Sequence, residues 1–148
     1  MTRDNFRPGG RAVAAVDLGT TSAKAVVVGD DGSVLAAEQA EYPLYMPAPW
    51  RAEQDPDQIE NAAAAALRAA VAKAGLTPRD VRCVVFSSAM HSLIALDRAG
   101  RPLTPSITWA DNRAAAYAEK LKREGRAQDI YAATGTPVHP MSPLLKLM

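Results

Sequence analysis

Two apolar runs rich in valine and alanine flank one short polar turn near the start of the chain, and this arrangement limits most strongly what the chain can fold into. The first run is Val13–Val16 and the second is Ala23–Val28, interrupted only by a lysine. Such runs are typical of buried strands, and the short connection predicts a hairpin. The turn carries a carboxylate, a glycine and three hydroxyl groups, in the order Asp17-Leu18-Gly19-Thr20-Thr21-Ser22.

The residue types in this turn suit a phosphate and a metal ion. Gly19 lets the backbone approach a ligand without a Cβ in the way, and successive N–H groups in a turn form an anion-binding concavity. Hydroxyl and amide donors come from Thr20, Thr21 and Ser22. Asp17, at the end of the first strand, could hold a hydrated Mg²⁺, which binds through one or two carboxylates plus phosphates. The alternative is a polar turn whose hydroxyl groups cap only their own backbone, and these residues alone leave both interpretations open.

Composition excludes several classes of protein. A chain of 148 residues with 48% hydrophobic residues, 22% charged residues and a net charge of +1 is typical of a globular domain with its own core. Its basic residues are scattered among acidic ones without stacking aromatics, so we expect no nucleic-acid partner. The single cysteine, Cys83, lies in an apolar run and is predicted to be an inert buried thiol.

Nothing in the sequence indicates a membrane segment. No apolar run approaches the length that crosses a bilayer, and residues 1–10 lack the apolar stretch of a signal peptide. We therefore interpret residues 1–10 as a flexible leader, and we expect a cytoplasmic location and no membrane partner.

The remaining sequence predicts a mixed α/β domain. A turn at 30–33 precedes a third strand, Val34–Tyr42, and the first three strands are expected to be antiparallel. After a proline-rich crossing, Asp55 and Pro56 begin a predicted helix that runs to about Ala74, with apolar residues at helical spacing, and Gly75 closes it. The later predicted elements are a central parallel strand at Val81–Phe86, a strand at Leu93–Asp97, a helix at Asn112–Glu124 and a short helix at Arg126–Thr134 ended by Gly135.

The segment from Asp17 to Lys24 resembles the first phosphate motif of the actin-like ATPases, in the form used by FGGY carbohydrate kinases. It is neither a Walker A loop nor a G-x-G-x-x-G fingerprint. The resemblance implies ATP and Mg²⁺ as cofactors, with Asp17 on the Mg²⁺ through water and the nucleotide on Gly19, Thr20, Thr21, Ser22 and Lys24. It also implies the ribonuclease-H-like fold, which opens with a three-stranded meander, a helix and a parallel strand.

A second motif, Ser87-Ser88-Ala89-Met90-His91-Ser92, follows the predicted parallel strand, where open α/β sheets bind ligands. In FGGY kinases a Met-His or similar pair here contacts the substrate, which implies that role for Met90 and His91. An imidazole can exchange a hydrogen bond with a hydroxyl, and a thioether can lie along a sugar's carbon face. The alternative is a core methionine beside a histidine satisfied by a backbone carbonyl. The form of residues 86–93 resembles gluconate kinases, whereas xylulose kinases usually have Gly-Gln-Met-His-Gly.

A third motif, Trp109-Ala110-Asp111-Asn112-Arg113, resembles the Trp-x-Asp-x-Arg segment of the family. Trp109 could pack against a sugar, while Asp111 and Arg113 could pair with each other or with hydroxyls and a carboxylate of the substrate. The alternative is that Asp111 or Asn112 caps the following helix.

The end of the chain resembles the Thr-Gly-x-Pro…Lys-Leu segment of the family. Met141 stands where glycerol kinases have a substrate-contacting tyrosine, which disfavours glycerol, and His139, between two prolines, is expected to be structural. FGGY kinases continue into a second domain that holds the adenosine. We therefore interpret residues 11–148 as the first part of the N-terminal domain, with the general-base aspartate expected beyond Met148.

These observations predict that the whole protein phosphorylates a sugar acid with ATP, gluconate to 6-phosphogluconate, and that its partner is a small-molecule substrate. The alternatives are a xylulose-type pentulose kinase and a non-catalytic actin-like module that binds nucleotide or a partner. The 148-residue chain alone is expected to be inactive and to associate with itself, because an unpaired sheet edge and uncovered apolar surface promote association.

Overall fold

The computed structural model describes residues 11–148, so the leader predicted for residues 1–10 lies outside the described residues. The chain divides into two compact units, one of residues 11–43 and 57–88 and one of residues 44–56 and 89–148. In chain order the elements are β1 (Ala12–Leu18), β2 (Ser22–Gly29), β3 (Val34–Glu41), β4 (Glu53–Gln54), α1 (Pro56–Lys73), β5 (Val81–Ser88), β6 (Ser106–Ile107), α2 (Ala115–Arg123), α3 (Ala127–Thr134) and α4 (Pro143–Lys146).

The first unit contains a four-stranded mixed sheet with the strand order β3-β2-β1-β5. β1 and β3 each pair antiparallel with β2, and β5 pairs parallel with β1. The predicted meander, helix and parallel strand are therefore present. The prediction of a central position for β5 is wrong within the described residues, because β5 pairs only with β1 and lies at an edge. For the same reason Cys83 is partly exposed instead of buried.

The core of the first unit lies between one face of the sheet and α1. Alternate residues of β1 and β2 pack against one side of the helix, because successive side chains of a strand point to opposite faces. Most are small; the buried set is Ala12, Ala14, Val16, Ala25, Val27, Ala66, Ala70 and Val71. The helix ends one residue before the predicted Ala74. Gly75, at a φ of 68°, closes it with hydrogen bonds from Gly75 N–H to Ala72 and from Leu76 N–H to Val71.

The second unit has little sheet. β4 and β6 pair antiparallel over two residues each. The predicted strand at Leu93–Asp97 is absent; only single bridges join Leu93 to Ile107 and Leu96 to Pro102. A continuous ladder is prevented because Pro102 and Pro105 have no N–H to donate.

Three helices build the core of the second unit. α2 begins at Ala115 instead of the predicted Asn112, and its first turn has no side-chain cap. α3 begins one residue later than predicted and ends at Gly135, which has the expected left-handed backbone at a φ of 68°. The buried residues are Ala114, Ala118, Leu121, Val138 and Leu145. Within residues 11–148, no helix is both long enough and apolar enough to cross a membrane.

Candidate functional site

The turn between β1 and β2 is held closed by its own backbone. The Gly19 N–H donates to the Ser22 carbonyl at 3.0 Å. A Cβ added at Gly19 would lie 3.1 Å from that oxygen, so a larger residue would require the turn to shift by a few tenths of an ångström. Gly19 therefore sets the shape of the turn, and its own N–H is already engaged.

Tyr42, just after β3, forms hydrogen bonds with the same turn. Its hydroxyl donates to the Gly19 carbonyl at 2.6 Å and lies 3.2 Å from the Ser22 carbonyl, and its N–H donates to Thr21 at 3.0 Å. Burial, together with the negative charge of Asp17, raises the pKa of Tyr42. The hydroxyl is therefore protonated at neutral pH and can donate. Sequence reasoning assigned Tyr42 only to a strand, since a tyrosine before a proline gives no signal of a contact with a turn 20 or 23 residues away.

Asp17 and Lys24 face each other across the hairpin. They occupy paired register positions of β1 and β2, and both are exposed. Ser22 and Lys24 alternate with the buried Ala23 and Ala25, which places them on the sheet face opposite α1. Neither the Asp17 carboxylate nor the Lys24 ammonium group forms a hydrogen bond or ion pair with another residue of the described part of the chain. A carboxylate and an ammonium group therefore remain available beside the hydroxyls of the turn.

An open cavity of about 510 Å³ adjoins this turn. Its lining residues are Thr21, Ser22, Glu41, Tyr42 and Pro43. Thr21 is exposed, whereas Thr20 and Ser22 are half-buried.

The donor set at Asp17 suits a magnesium ion that keeps most of its water. Residues 11–148 contain no group of three or more His, Cys, Asp or Glu side chains that could enclose a metal. Mg²⁺ does not need one, because it usually binds through one or two carboxylates, phosphate oxygens and water. The single exposed carboxylate of Asp17 meets that requirement.

In the second unit, Asp111 and Arg113 form a buried ion pair. Asp111 is fully buried and accepts a hydrogen bond from the Ala52 N–H at 2.8 Å. The Arg113 guanidinium donates to both oxygens of Asp111, each at 2.8 Å, and also contacts Glu53. The sequence left open whether Asp111 and Arg113 pair with each other or with a substrate, and in the structure they pair with each other. The alternative, that Asp111 or Asn112 caps the following helix, is not realised, because α2 begins after Ala114 without a side-chain cap.

The pKa values of the pair follow from this geometry. Burial by itself would raise the pKa of Asp111, but the hydrogen bonds from Arg113 and Ala52 outweigh it and lower the pKa. The hydrogen bonds to Asp111 and Glu53 raise the pKa of Arg113 against its burial. Both groups are therefore charged at neutral pH. Glu53 was missed as a member of this cluster, since its sequence context indicated only the approach to a helix.

Met90 is exposed, whereas His91 is half-buried. Met90 is 72% exposed, so within residues 11–148 it is not a core methionine. His91 has a φ of 66° and is the only non-glycine residue with positive φ in the described chain. Its imidazole forms no hydrogen bond within residues 11–148, so the alternative of a histidine satisfied by a backbone carbonyl is not realised there.

His91 also lines a small cavity of about 120 Å³ in the second unit. Hydroxyl-bearing residues of this cavity are Thr134, Thr136 and Ser142.

Trp109 is 46% exposed. His139 accepts a hydrogen bond from the Met141 N–H at 3.2 Å, a local contact that agrees with the structural role expected for it.

Lys146, on α4, joins two of the motifs. Its ammonium group donates to the His91 carbonyl at 3.0 Å and to the Thr108 carbonyl at 2.6 Å. Thr108 directly precedes Trp109. The structure thus ties the segments that carry His91 and Trp109 to the same side chain, whereas the sequence indicated Lys146 only as part of a family segment.

Comparison with known proteins identifies the family. Residues 12–148 match the FGGY family of carbohydrate kinases, N-terminal domain. The chain belongs to this family. Over 132 residues it is 46% identical to the gluconokinase of Bacillus subtilis (strain 168). The aligned region covers 89% of this chain and 25% of that protein.

Two solved FGGY kinase structures are similar to this one. The gluconate kinase from Lactobacillus acidophilus has a TM-score of 0.84 and 37% identity, covering 92% of this chain and 27% of that chain. The ligand-bound xylulose kinase from the same organism has a TM-score of 0.85 and 38% identity, with the same coverage. The chain thus has the α/β, ribonuclease-H-like fold of the actin-like FGGY kinases. It spans about a quarter of the length of these relatives.

Proposed function

We propose that the whole protein transfers the γ-phosphoryl group of ATP to a hydroxyl of a sugar acid, and that its substrate is gluconate. The observation that carries this proposal is the exposure of Met90 beside a His91 imidazole that has no hydrogen-bond partner within residues 11–148, in a segment of the gluconate-kinase form. The 46% identity to a gluconokinase supports the same substrate.

The turn of the first unit is proposed to hold the nucleotide phosphates. Thr20, Thr21 and Ser22 donate hydrogen bonds, and Lys24 supplies a positive charge from the same sheet face as Asp17. When bound, Mg²⁺ would offset the negative charge of the ATP phosphates, and the protein's own residues would act by positioning and electrostatic stabilisation. Asp17 orients the hydrated Mg²⁺ through its single exposed carboxylate.

The second unit is proposed to hold the sugar acid. His91 exchanges a hydrogen bond with a substrate hydroxyl, while Met90 and Trp109 pack against the carbon chain. Arg113 uses Nε and Nη2 on Asp111 and Glu53. Its Nη1 has no partner within residues 11–148, and a guanidinium is well suited to a carboxylate, so Nη1 is the proposed contact for the acid group. Asp111 supports the substrate through Arg113.

A pentulose kinase of the same family is the second candidate. The near-equal identity of the chain to the gluconate and xylulose kinases of Lactobacillus acidophilus, 37% and 38%, favours keeping it. A non-catalytic actin-like module is disfavoured, because such a protein has no use for the exposed Met90 and the unpartnered His91.

Competition kinetics with the full-length protein test the substrate. Gluconate, xylulose and glycerol are supplied together with ATP and Mg²⁺, and the relative kcat/KM values are measured. We expect gluconate to have the highest kcat/KM. A higher value for xylulose or glycerol would overturn the gluconate assignment and leave a kinase of another sugar.

The Asp17→Asn variant tests the proposed nucleotide side. At saturating sugar we expect kcat to fall at least about tenfold, equivalent to about 1.4 kcal/mol of barrier, because the amide cannot replace the carboxylate at the Mg²⁺. Asp129→Asn, at an exposed position of α3, is the matched control and should leave kcat unchanged. An unaltered kcat in Asp17→Asn at ordinary Mg²⁺ would remove Asp17 from the mechanism.

A further inference from the structure

The His91 backbone adopts a conformation that needs support. With a φ of 66° it lies in the left-handed region, which side chains with a Cβ rarely occupy, although histidine does so more often than most. Such a conformation persists only where neighbouring groups hold it, and it is often found at functional sites. Something must therefore stabilise the chain at this point.

Lys146 provides a specific contact of this kind. Its ammonium group donates to the His91 carbonyl at 3.0 Å and to the Thr108 carbonyl at 2.6 Å. These two acceptors are 17 positions apart in sequence: His91 lies in the turn after β5, and Thr108 directly follows β6. A charged donor forms stronger hydrogen bonds than a neutral one.

The Lys146 side chain is half-buried, and two carbonyl groups hold its ammonium group in place. Burial and the charge of Arg113 lower the pKa of Lys146, while the nearby negative charge of Asp111 acts in the opposite direction and favours the ammonium form. The side chain packs in the second unit, where Leu145 beside it is fully buried. Lys146 is therefore an anchored donor and not a mobile surface lysine.

We propose that Lys146 is a positioning residue for the sugar: it fixes the left-handed backbone of His91 relative to the segment of Trp109, so that the imidazole points at the substrate. This proposal rests on the proposed kinase function. Lys146 acts through His91 and Trp109 and is not assigned a contact with the reacting atoms.

The Lys146→Met variant of the full-length protein removes the donor and keeps most of the side-chain volume. We expect kcat/KM for the sugar to fall at least about tenfold, because two charge-assisted hydrogen bonds are lost, while the KM for ATP changes less than about twofold. The sugar used is the one that the wild-type protein phosphorylates best. Lys122→Met, at an exposed position on α2 paired with Glu119, is the matched control and should change neither value.

Two further measurements separate positioning from folding. Amide hydrogen exchange of residues 90–92 should accelerate in Lys146→Met, with no matching change in the strands of the first unit. In Lys146→Ala, added n-propylammonium should restore part of the lost sugar kcat/KM, because it replaces the missing atoms and charge. The exchange measurement reports on His91 whether or not a sugar is phosphorylated.

Each outcome decides a separate point. An unchanged sugar kcat/KM with unchanged exchange, or an equal loss for sugar and ATP without rescue by n-propylammonium, would overturn the role of Lys146. A wild-type protein that phosphorylates no sugar would overturn the proposed function, and the exchange at residues 90–92 would still test the Lys146 contact.

Discussion

At the scale of single residues, the most heavily engaged side chain is Asp111. It is fully buried and accepts hydrogen bonds from the Ala52 N–H and from the Arg113 guanidinium and N–H. Removing one partner of a buried ion pair is costly, because the other charge is left without compensation. Asp111 therefore supports the second unit and orients Arg113 at the same time.

We expect Asp111→Asn to lower the free energy of unfolding by about 3 kcal/mol, because it leaves the Arg113 charge with Glu53 alone. Chemical denaturation of the full-length protein measures this change. Glu119→Gln, which removes a carboxylate from an exposed ion pair with Lys122, should cost about 0.5 kcal/mol or less. Equal losses in the two variants would contradict the structural importance of the buried pair.

The same pair should make the stability depend on pH. The pKa of Asp111 is lowered from its ordinary value of 3.8, so its stabilisation is fully present above that value and is lost as the pH falls through the folded-state pKa. The difference in stability between wild type and Asp111→Asn should therefore be constant near neutral pH and shrink below about pH 4. Denaturation midpoints at neutral pH and in acid measure this trend.

Tyr42 offers a test of the proposed phosphate turn. Tyr42→Phe removes the hydroxyl that donates to the Gly19 carbonyl and keeps the buried ring. One lost hydrogen bond corresponds to about 1 kcal/mol, so we expect the KM for ATP to rise about fivefold with the KM for the sugar unchanged. Tyr131→Phe is the control, since Tyr131 is 50% exposed. A rise in both KM values would indicate a general loss of structure instead.

At the scale of elements, the contact between α1 and the sheet depends on small residues. Ala66 and Ala70 of the helix face Ala12, Ala14 and Ala25 of the strands, and all are buried. Alanine side chains let the two backbones approach closely, and a close-packed interface has no space for a larger group. This explains why an alanine-rich helix of low amphipathicity still packs firmly here.

We expect Ala70→Leu to destabilise the protein by about 1–3 kcal/mol, because Ala70 is fully buried against the sheet and a larger side chain would overpack the interface. Ala69→Leu, at the neighbouring exposed position of the same helix, should change the stability by less than about 0.5 kcal/mol. Thermal unfolding of the two variants provides the comparison. A stable Ala70→Leu protein would show that the helix can move away from the sheet.

At the scale of the whole molecule, β5 exposes apolar surface at the edge of the described sheet. Val85 is 54% exposed and Phe86 is 64% exposed. β5 pairs only with β1 in the described chain, so its other side offers unpaired backbone groups. Exposed apolar edges of this kind promote pairing with another chain.

The 148 residues produced alone should therefore associate with themselves at micromolar concentration. Sedimentation measures this, and Val85→Lys should shift the chain toward the monomer because a lysine on an edge strand opposes pairing. Leu103→Lys, at an exposed loop position of the second unit, should have no such effect. A compact monomer of the unmodified chain would contradict the expectation.

The same preparation should release no ADP above background with gluconate, ATP and Mg²⁺. The family resemblance implies a general base and an adenosine-binding domain that this chain is not expected to supply, and phosphoryl transfer needs a group to accept the hydroxyl proton. A coupled ADP-release assay gives the result. Steady turnover would contradict the expectation that the base lies beyond Met148.

The sequence by itself determined most of the longer elements and the family. The hairpin, the third strand, α1 with its closing glycine, and α3 were predicted to within a few residues, because periodicity and turn residues act over short distances. The motifs at Asp17–Lys24 and Met90–His91 were recognisable for the same reason, since each is continuous in the chain. The sequence was less informative where prolines interrupt pairing, as in the absent strand at 93–97.

Only the tertiary structure decided which side chains meet. Arg113 reaches Glu53 across 60 positions of sequence, Lys146 reaches His91 across 55, and Tyr42 reaches Gly19 across 23. No local pattern encodes such contacts, because the partners are brought together by packing and not by spacing along the chain. The same holds for the exposure of β5 and Cys83, which depends on which strands neighbour β5 in the sheet and not on the apolar character of the strand itself.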